Sequence, residues 1–419
     1  MTKIFLFHIK IASVFIIMLF ISGCVKDTCT RTYTYFTPVY KTISEVRANI
    51  KSNQPKEIGR PGKLFIKGHY IYLNEIDKGI HILDNSNPAK PKNVAFIDIP
   101  GNMDLAVKGD ILYADLFTDL VTLDITNPMN VTVKSVIDNA FPFRNYTGFA
   151  ADRSKIIVDW IQRDTTVSVD CRNGGSPIWS ECATCMVFDL SSSSATKFSS
   201  PYGMGGSMAR FTIVNSHLYT VSDQSLDIFN ISTPQTPTFT SKLQLGWGIE
   251  TIYPFKNKLF IGSNTGMFIY DIANPSQPTK QGQFNHVRTC DPVIADDKYA
   301  YITLRSGSTC AGYTNQLDVL DISNIFQPSL VKTYPMTNPH GLSKDGELLF
   351  ICDGKQGLKV YNASKVHSLL LLKHISGPDA YDVIAFNDLA IVSAADGLYQ
   401  YDYSDVNNIK LLSKTGYKK

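Results

Sequence analysis

The stretch TGMFIYDIANPSQPTKQG, residues 265–282, opens on the turn-prone Gly266 and alternates side chains as far as Asp271. It halts on Ile-Ala-Asn-Pro and then resumes as a second, more polar extended run. Alternation with a period of two marks a strand with one buried face. Asp and Asn side chains hydrogen-bond nearby backbone in turns, and Pro fixes φ while ending strand pairing. The step from Asp271 to Pro275 therefore predicts the turn between a third strand and an outermost one.

The phrase returns along the chain. KGIHILDNSNPAKPKNVAFI from Lys78, DLVTLDITNPMNVTVKSV from Asp119 and SLDIFNISTPQTPTFTSKL from Ser225 repeat it. So do QLDVLDISNIFQPSLVKTY from Gln316, GLKVYNASKVHSLLLLKHI from Gly357 and GLYQYDYSDVNNIKLLSKT from Gly397, while MVFDLSSSSATKFSS from Met186 is a degenerate copy. Ahead of each lies a pair of strand-like runs, such as DLAVKGDILYADL and YDVIAFNDLAIVSAA. Units of about 40 residues with four short strands each predict propeller blades, since one such sheet cannot bury both faces alone. The expectation is an all-β chain forming a β-propeller of eight four-stranded blades. The units start near Lys63, Asp104, Gly148, Arg210, Thr251, Asp291, Gly341 and Asp382. Seven blades is the alternative, should the third unit, stretched by an insertion, not be a blade.

The repeated phrase also resembles the LVIVD repeat, named for an aliphatic strand that ends in Asp. The matching positions are Ile80–Asp84, Val121–Asp124, Phe268–Asp271, Leu317–Asp321 and Leu358–Tyr361, the last followed by Asn362 in place of Asp. Such repeats occur in secreted and lipid-anchored bacterial propellers, many from Bacteroidetes-type bacteria and most without an assigned activity. The resemblance thus implies a fold and a cellular address, and little chemistry.

The composition agrees with an exported β protein. The chain has 419 residues, 44% of them apolar, with 21 Tyr and 23 Phe, an aromatic share that favours strands. Forty basic residues against 37 acidic ones leave a net charge of +3, too balanced for an electrostatic binder of nucleic acid. The N-terminus, MTKIFLFHIKIASVFIIMLFISGC, has the basic start, apolar run and small residues of an export signal. Ile21-Ser22-Gly23-Cys24 resembles the bacterial lipobox, which implies cleavage before Cys24 and lipid on that residue. Residues 1–23 are then the signal peptide, 24–56 a lipidated tether and lead-in, and 57–419 the propeller. Val25 is not Asp, so the inner-membrane retention rule is not met and the outer membrane is expected, on either face.

In a propeller the first residues of each innermost strand form the mouth of the axial channel. Alignment on the second-strand aromatics Tyr72, Tyr113, Tyr219, Phe260, Tyr301 and Phe350 puts Glu250, Asp291, His340 and Tyr381 in one mouth column. Asp104, Arg210 and Asp382 fall in the neighbouring column, and Arg144, His286 and Arg288 in loops just before. A polar mouth on an apolar scaffold is a natural ligand site. The favoured reading is a binding or scaffold module for a protein, peptide or glycan at this loop-decorated rim. The alternative is a periplasmic or surface hydrolase or lyase using mouth carboxylates with His340 and Asp382. No HExxH, G-x-S-x-G, phosphate loop or EF-hand series is present, which weighs against catalysis. The eight His are scattered, so no metal or other cofactor is expected.

Of eight Cys, Cys24 is assigned to lipid and Cys352, in LLFICDG, to a buried free thiol. Outside the cytoplasm an even remainder reads as disulfides. Cys290 begins an innermost strand and Cys310 lies in the loop after the second strand, which suggests a bridge between them. Cys171, Cys182 and Cys185 share the insertion in unit three, where a local disulfide is preferred over a zinc site lacking further ligands. Cys29 is a partner open to the third thiol.

Overall fold

A computed structural model describes residues 28–141, 155–170, 186–188, 207–286, 292–306 and 314–418. Within them the repeats form seven antiparallel four-stranded meanders, at 61–98, 105–137, 211–244, 249–285, 293–335, 342–375 and 380–416, called blades 1 to 7 below. In each blade every strand pairs with the next in sequence. First strands pack against the first strands of neighbouring blades, while fourth strands turn largely exposed residues to solvent. A core of Ile58, Leu64, Ile71 and Leu83 with Ile391 and Leu398 joins blade 7 to blade 1. No blade takes strands from both chain ends, so side chains and short backbone contacts close the ring. Among them are Lys418 N–H to Ile58 O at 2.6 Å and the Ser413 hydroxyl to Pro88 O at 2.6 Å.

Among the described residues the blades are therefore seven, the alternative count, and not eight. Where the unit beginning at Gly148 was expected to form a blade, Ile156–Asp170 runs on as one long strand. It belongs to a separate three-stranded sheet, with Thr28–Lys41 in the centre and Met186–Phe188 on the far side. The physical reason is visible in IIVDWIQRDTTVSVD, which holds no Gly, Pro or Asn to break it into a hairpin. The phrase after Met186 likewise lacks the Asn-Pro that follows the third strands of blades 1, 2 and 4.

The lead-in to the first blade, expected as part of a tether, is also built into structure. Besides Thr28–Lys41 it holds a helix, Ile43–Ala48, opened by a capping box between Thr42 and Glu45. Val46 and Ile50 from this segment are buried with Tyr72, Ile80, Leu112 and Val121 of blades 1 and 2. Arg47 pairs with Asp119 at 2.6 Å and with Asp138. Ser52–Asn53 then adds a fifth strand to blade 1.

The repeated phrase does what its residues predict. In all seven blades the residue ending the third strand accepts a hydrogen bond from the N–H two positions on. These acceptors are Asp84, Asp124, Asn230, Asp271, Asp321, Asn362 and Asp402, with distances of 2.7–2.9 Å. A register shift in each third-to-fourth pairing, as between Ile269 and Tyr270, bends the outer strand just beside that turn. The second-strand aromatics are fully enclosed. Tyr113 donates to Pro234 O at 2.7 Å and Tyr219 to Pro275 O at 2.9 Å, so the turn of one blade accepts from the core of its neighbour.

Candidate functional site

Two layers of polar side chains sit where the first strands begin. In the deeper layer Lys63 and Asp104, 1% and 2% exposed, form an ion pair between blades 1 and 2. Asp104 also accepts from the backbone N–H groups of Arg210 and Phe211 at 2.5 and 2.7 Å, which ties in blade 3. Burial pushes the Asp104 carboxyl up, and Lys63 with the surrounding N–H groups opposes that rise. The Arg210 guanidinium donates to the carbonyls of Glu250 and Ile249, both at 3.3 Å. Asp104 and Arg210, both expected at the mouth, thus stitch four consecutive blades.

Asp382 of blade 7 lies in the same deep layer and is fully buried. It accepts from its own neighbour Val383 N–H at 2.9 Å and from the Ser207 hydroxyl at 3.4 Å. Ser207, also fully buried, precedes blade 3, yet it also accepts from Leu342 N–H of blade 6 at 2.9 Å. One hydroxyl from the lead-in to blade 3 so reaches blades 6 and 7 on the opposite side of the ring. Residues 207–209 therefore cross the axis, with Met208 buried beside them and Ala209 O accepting from Ile252 N–H of blade 4 at 2.8 Å. An alanine methyl at Gly341 would stand 1.8 Å from Asp382 Oδ1, which is why blade 6 passes this point on glycine.

The upper layer brings together side chains from blades 4 to 7. His340, 4% exposed, starts blade 6; its ring meets the Tyr381 ring edge-on at 5.3 Å, and its Nε2 lies 3.1 Å from Asn338 Nδ2. Thr303 of blade 5 donates to His340 O at 2.5 Å. Two residues further, on the same face of that strand, comes Arg305, 7% exposed. Burial lowers the Arg305 pKa, and Glu250 and Tyr381 act against that fall. Burial also holds His340 well below its ordinary 6.5, with the Arg305 charge adding to the effect. Tyr381 is raised by burial first and by Asp379 next. At neutral pH the upper layer thus presents a cation, a neutral imidazole and a neutral phenol, with the half-buried Glu250 nearby.

Arg305 was not among the expected site residues. It directly follows the second strand Tyr299–Leu304, and the mouth columns were drawn from first strands alone; a basic residue just after a buried strand was the available signal. His286 follows the outer strand of blade 4, where its N–H reaches Thr265 O at 3.2 Å. Arg144, Arg288 and Asp291 lie outside the described residues, as do Cys24, Cys171, Cys182, Cys185, Cys290 and Cys310. Cys29 falls in the strand Thr28–Lys41. Cys352 is a buried free thiol, as expected. Among the described residues no group of three or more His, Cys, Asp or Glu is placed to hold a metal ion, and no helix is long and apolar enough to cross a membrane. An apolar cavity of about 540 Å³ lies away from this mouth, lined by Leu64, Phe65, Ile66, Ser343, Ile384 and Phe386.

A ring of four-stranded meanders packed first strand to first strand defines a seven-bladed β-propeller. The LVIVD repeat profile matches residues 58–97, 101–138, 257–286 and 289–336, so this propeller carries LVIVD repeats. No curated protein matches its sequence. Among solved structures it is similar to the computationally designed Ika8 protein, with 9% identity and a TM-score of 0.51, over 87% of this chain and 89% of that one. It is also similar to Sqt1 from Saccharomyces cerevisiae, with 9% identity and a TM-score of 0.50, over 85% and 86% of the two chains. BamB from Moraxella catarrhalis aligns at 8% identity and a TM-score of 0.47, over 87% and 96%. At such identities the likeness is one of fold alone.

Proposed function

We propose that the protein is a lipid-anchored propeller of the cell envelope that binds a protein, peptide or glycan at its polar mouth. The observation that carries the binding role is the upper layer, where Glu250, Arg305, His340 and Tyr381 from four blades converge on a scaffold fixed beneath by buried ion pairs and hydrogen bonds. Side chains held that way lose little conformational freedom when a ligand docks, which favours recognition. The anchor rests on the lipobox-like Ile21–Cys24, and Val25 in place of Asp favours the outer membrane.

Each half of the proposal has its own test. Growth with a tagged fatty acid should label the wild-type chain, and Cys24→Ala should remove the label. For binding, the full chain is used to capture proteins and glycans from envelope extract, beside Glu250→Gln/His340→Gln. The paired substitution should abolish capture with a circular dichroism spectrum like that of the parent; undiminished capture would reject this mouth. The hydrolase or lyase alternative gains nothing from the geometry, because Asp382 is enclosed beneath Ser207 and His340 shares its Nε2 with Asn338.

A further inference from the structure

Arg305 presents an unusual balance of charge and contact. It is more than nine-tenths buried, yet its guanidinium makes no hydrogen bond or ion pair with any described residue. A guanidinium carries five N–H donors and stays protonated in proteins. Left unpaired by the protein, those donors are open to water or to a ligand at the mouth. Glu250 is within electrostatic reach of Arg305 without forming an ion pair with it.

The neighbouring groups add donors. An amide nitrogen can only donate, so the 3.1 Å contact from Asn338 Nδ2 makes His340 Nε2 the acceptor. The proton of the neutral ring is then on Nδ1, and His340 offers a second N–H. The Tyr381 hydroxyl, whose ring packs against His340, makes no hydrogen bond to a described residue and retains its proton. Thr303, whose hydroxyl is spent on His340 O, fixes the strand that carries Arg305 over the start of blade 6.

The geometry points to Arg305, with His340 and Tyr381 beside it, as a binding site for a carboxylate, presented by a small molecule or by the free end of a peptide. This deepens the binding role proposed above and rests on that reading. A carboxylate is acceptor-only and matches the guanidinium fork in a planar, two-bonded arrangement. Glu250, within electrostatic reach, repels a dianion more strongly than a monoanion, which disfavours phosphate.

The test titrates the full chain, at constant ionic strength, with acetate, succinate, acetamide, phosphate and sulfate, following heat and melting temperature. A short peptide with a free C-terminus is compared with its amide. Saturable binding of carboxylates and none of acetamide is expected, weakened at least about tenfold in Arg305→Gln, as for loss of a charge-assisted contact. Tyr381→Phe should weaken it less, and the His340 ring protons of the unmutated protein should shift on saturation, a readout that needs no variant to fold. Tighter binding of the peptide acid than of acetate or succinate assigns a chain end; the reverse assigns a small molecule. No saturable carboxylate binding, affinity unchanged by Arg305→Gln, or a preference for phosphate or sulfate overturns the assignment. Capture of an envelope partner without any carboxylate response would overturn it while leaving the broader binding role standing.

Discussion

Asn85 and Gln400, 315 positions apart, exchange two side-chain amide hydrogen bonds, at 2.9 and 2.7 Å, and both residues are buried. They join blades 1 and 7, the first and last in the chain, at a joint with no shared strand. Gln400→Leu should cost about 1–3 kcal/mol, because it strands the Asn85 amide in an apolar seam. Adding Asn85→Leu should return part of that loss. A double-mutant cycle on urea midpoints checks this, and additive losses would show that the pair is not coupled.

Gly341→Ala places a methyl on Asp382 Oδ1 and close to the Asp382 backbone. Overpacking of a closed site costs about 1–3 kcal/mol. The variant should melt several degrees lower, and combining it with Asp382→Ala should relieve the clash. A parent-like melting temperature in the single variant would mean that the centre of the ring yields easily.

His340 makes stability depend on pH in a definite direction. Its folded pKa lies well below 6.5, pushed down by burial and then by Arg305. Between the folded and unfolded values the unfolded chain binds more protons, so stability is complete above about 6.5 and declines as pH falls below it. His340→Gln should flatten the melting-temperature profile between about pH 7 and pH 5. A profile with the same slope in both proteins would place the titrating group elsewhere.

A second acid-sensitive window comes from the repeated turn. Asp124 is held near a pKa of about 2 by the Thr126 hydroxyl, its N–H and Lys134, against an ordinary 3.8. Asp84, Asp321 and Asp402 are lowered by the matching serine two residues on. For depressed carboxyls the contribution is present above the unfolded value and is lost as pH falls through the folded one, here from about 4 downward. Asn230 and Asn362 make the same turn without a charge. Replacing the four Asp by Asn should therefore preserve the fold at pH 7 and reduce the decline between pH 4 and 2, as followed by circular dichroism.

Cys352 should resist alkylation in the native protein and react only on unfolding. Burial raises its pKa well above 9.0, with Asp382 and Asp353 adding to the effect. Thiolate is the reactive form. Mass spectrometry after iodoacetamide with and without urea reads this out, and rapid labelling of folded protein would contradict the enclosed position.

Local chemistry was legible in the sequence wherever one short phrase decides it. Asp271, Asn274 and Pro275 specify their turn by themselves, and Tyr113 or Phe350 marks its strand by size and alternation. The blade count was harder, because Val187–Phe188 resembles a third strand while pairing with Tyr35 and Thr34 from the far N-terminus. Such a partner, long-range in sequence, leaves no periodic trace. For the same reason Asp104 and Asp382 stood out as charges while their enclosure did not. That depends on Lys63, which the alignment puts at the same position as Asp104 without showing that the two pair, and on Ser207, which lies outside the aligned columns.

Ser207 carries one more consequence. One hydroxyl tied to blades 6 and 7 and, two residues on, one carbonyl tied to blade 4 make the lead-in to blade 3 an internal brace of the ring. On the binding role proposed above, a ligand at Arg305 would sit against a scaffold that this brace keeps from spreading.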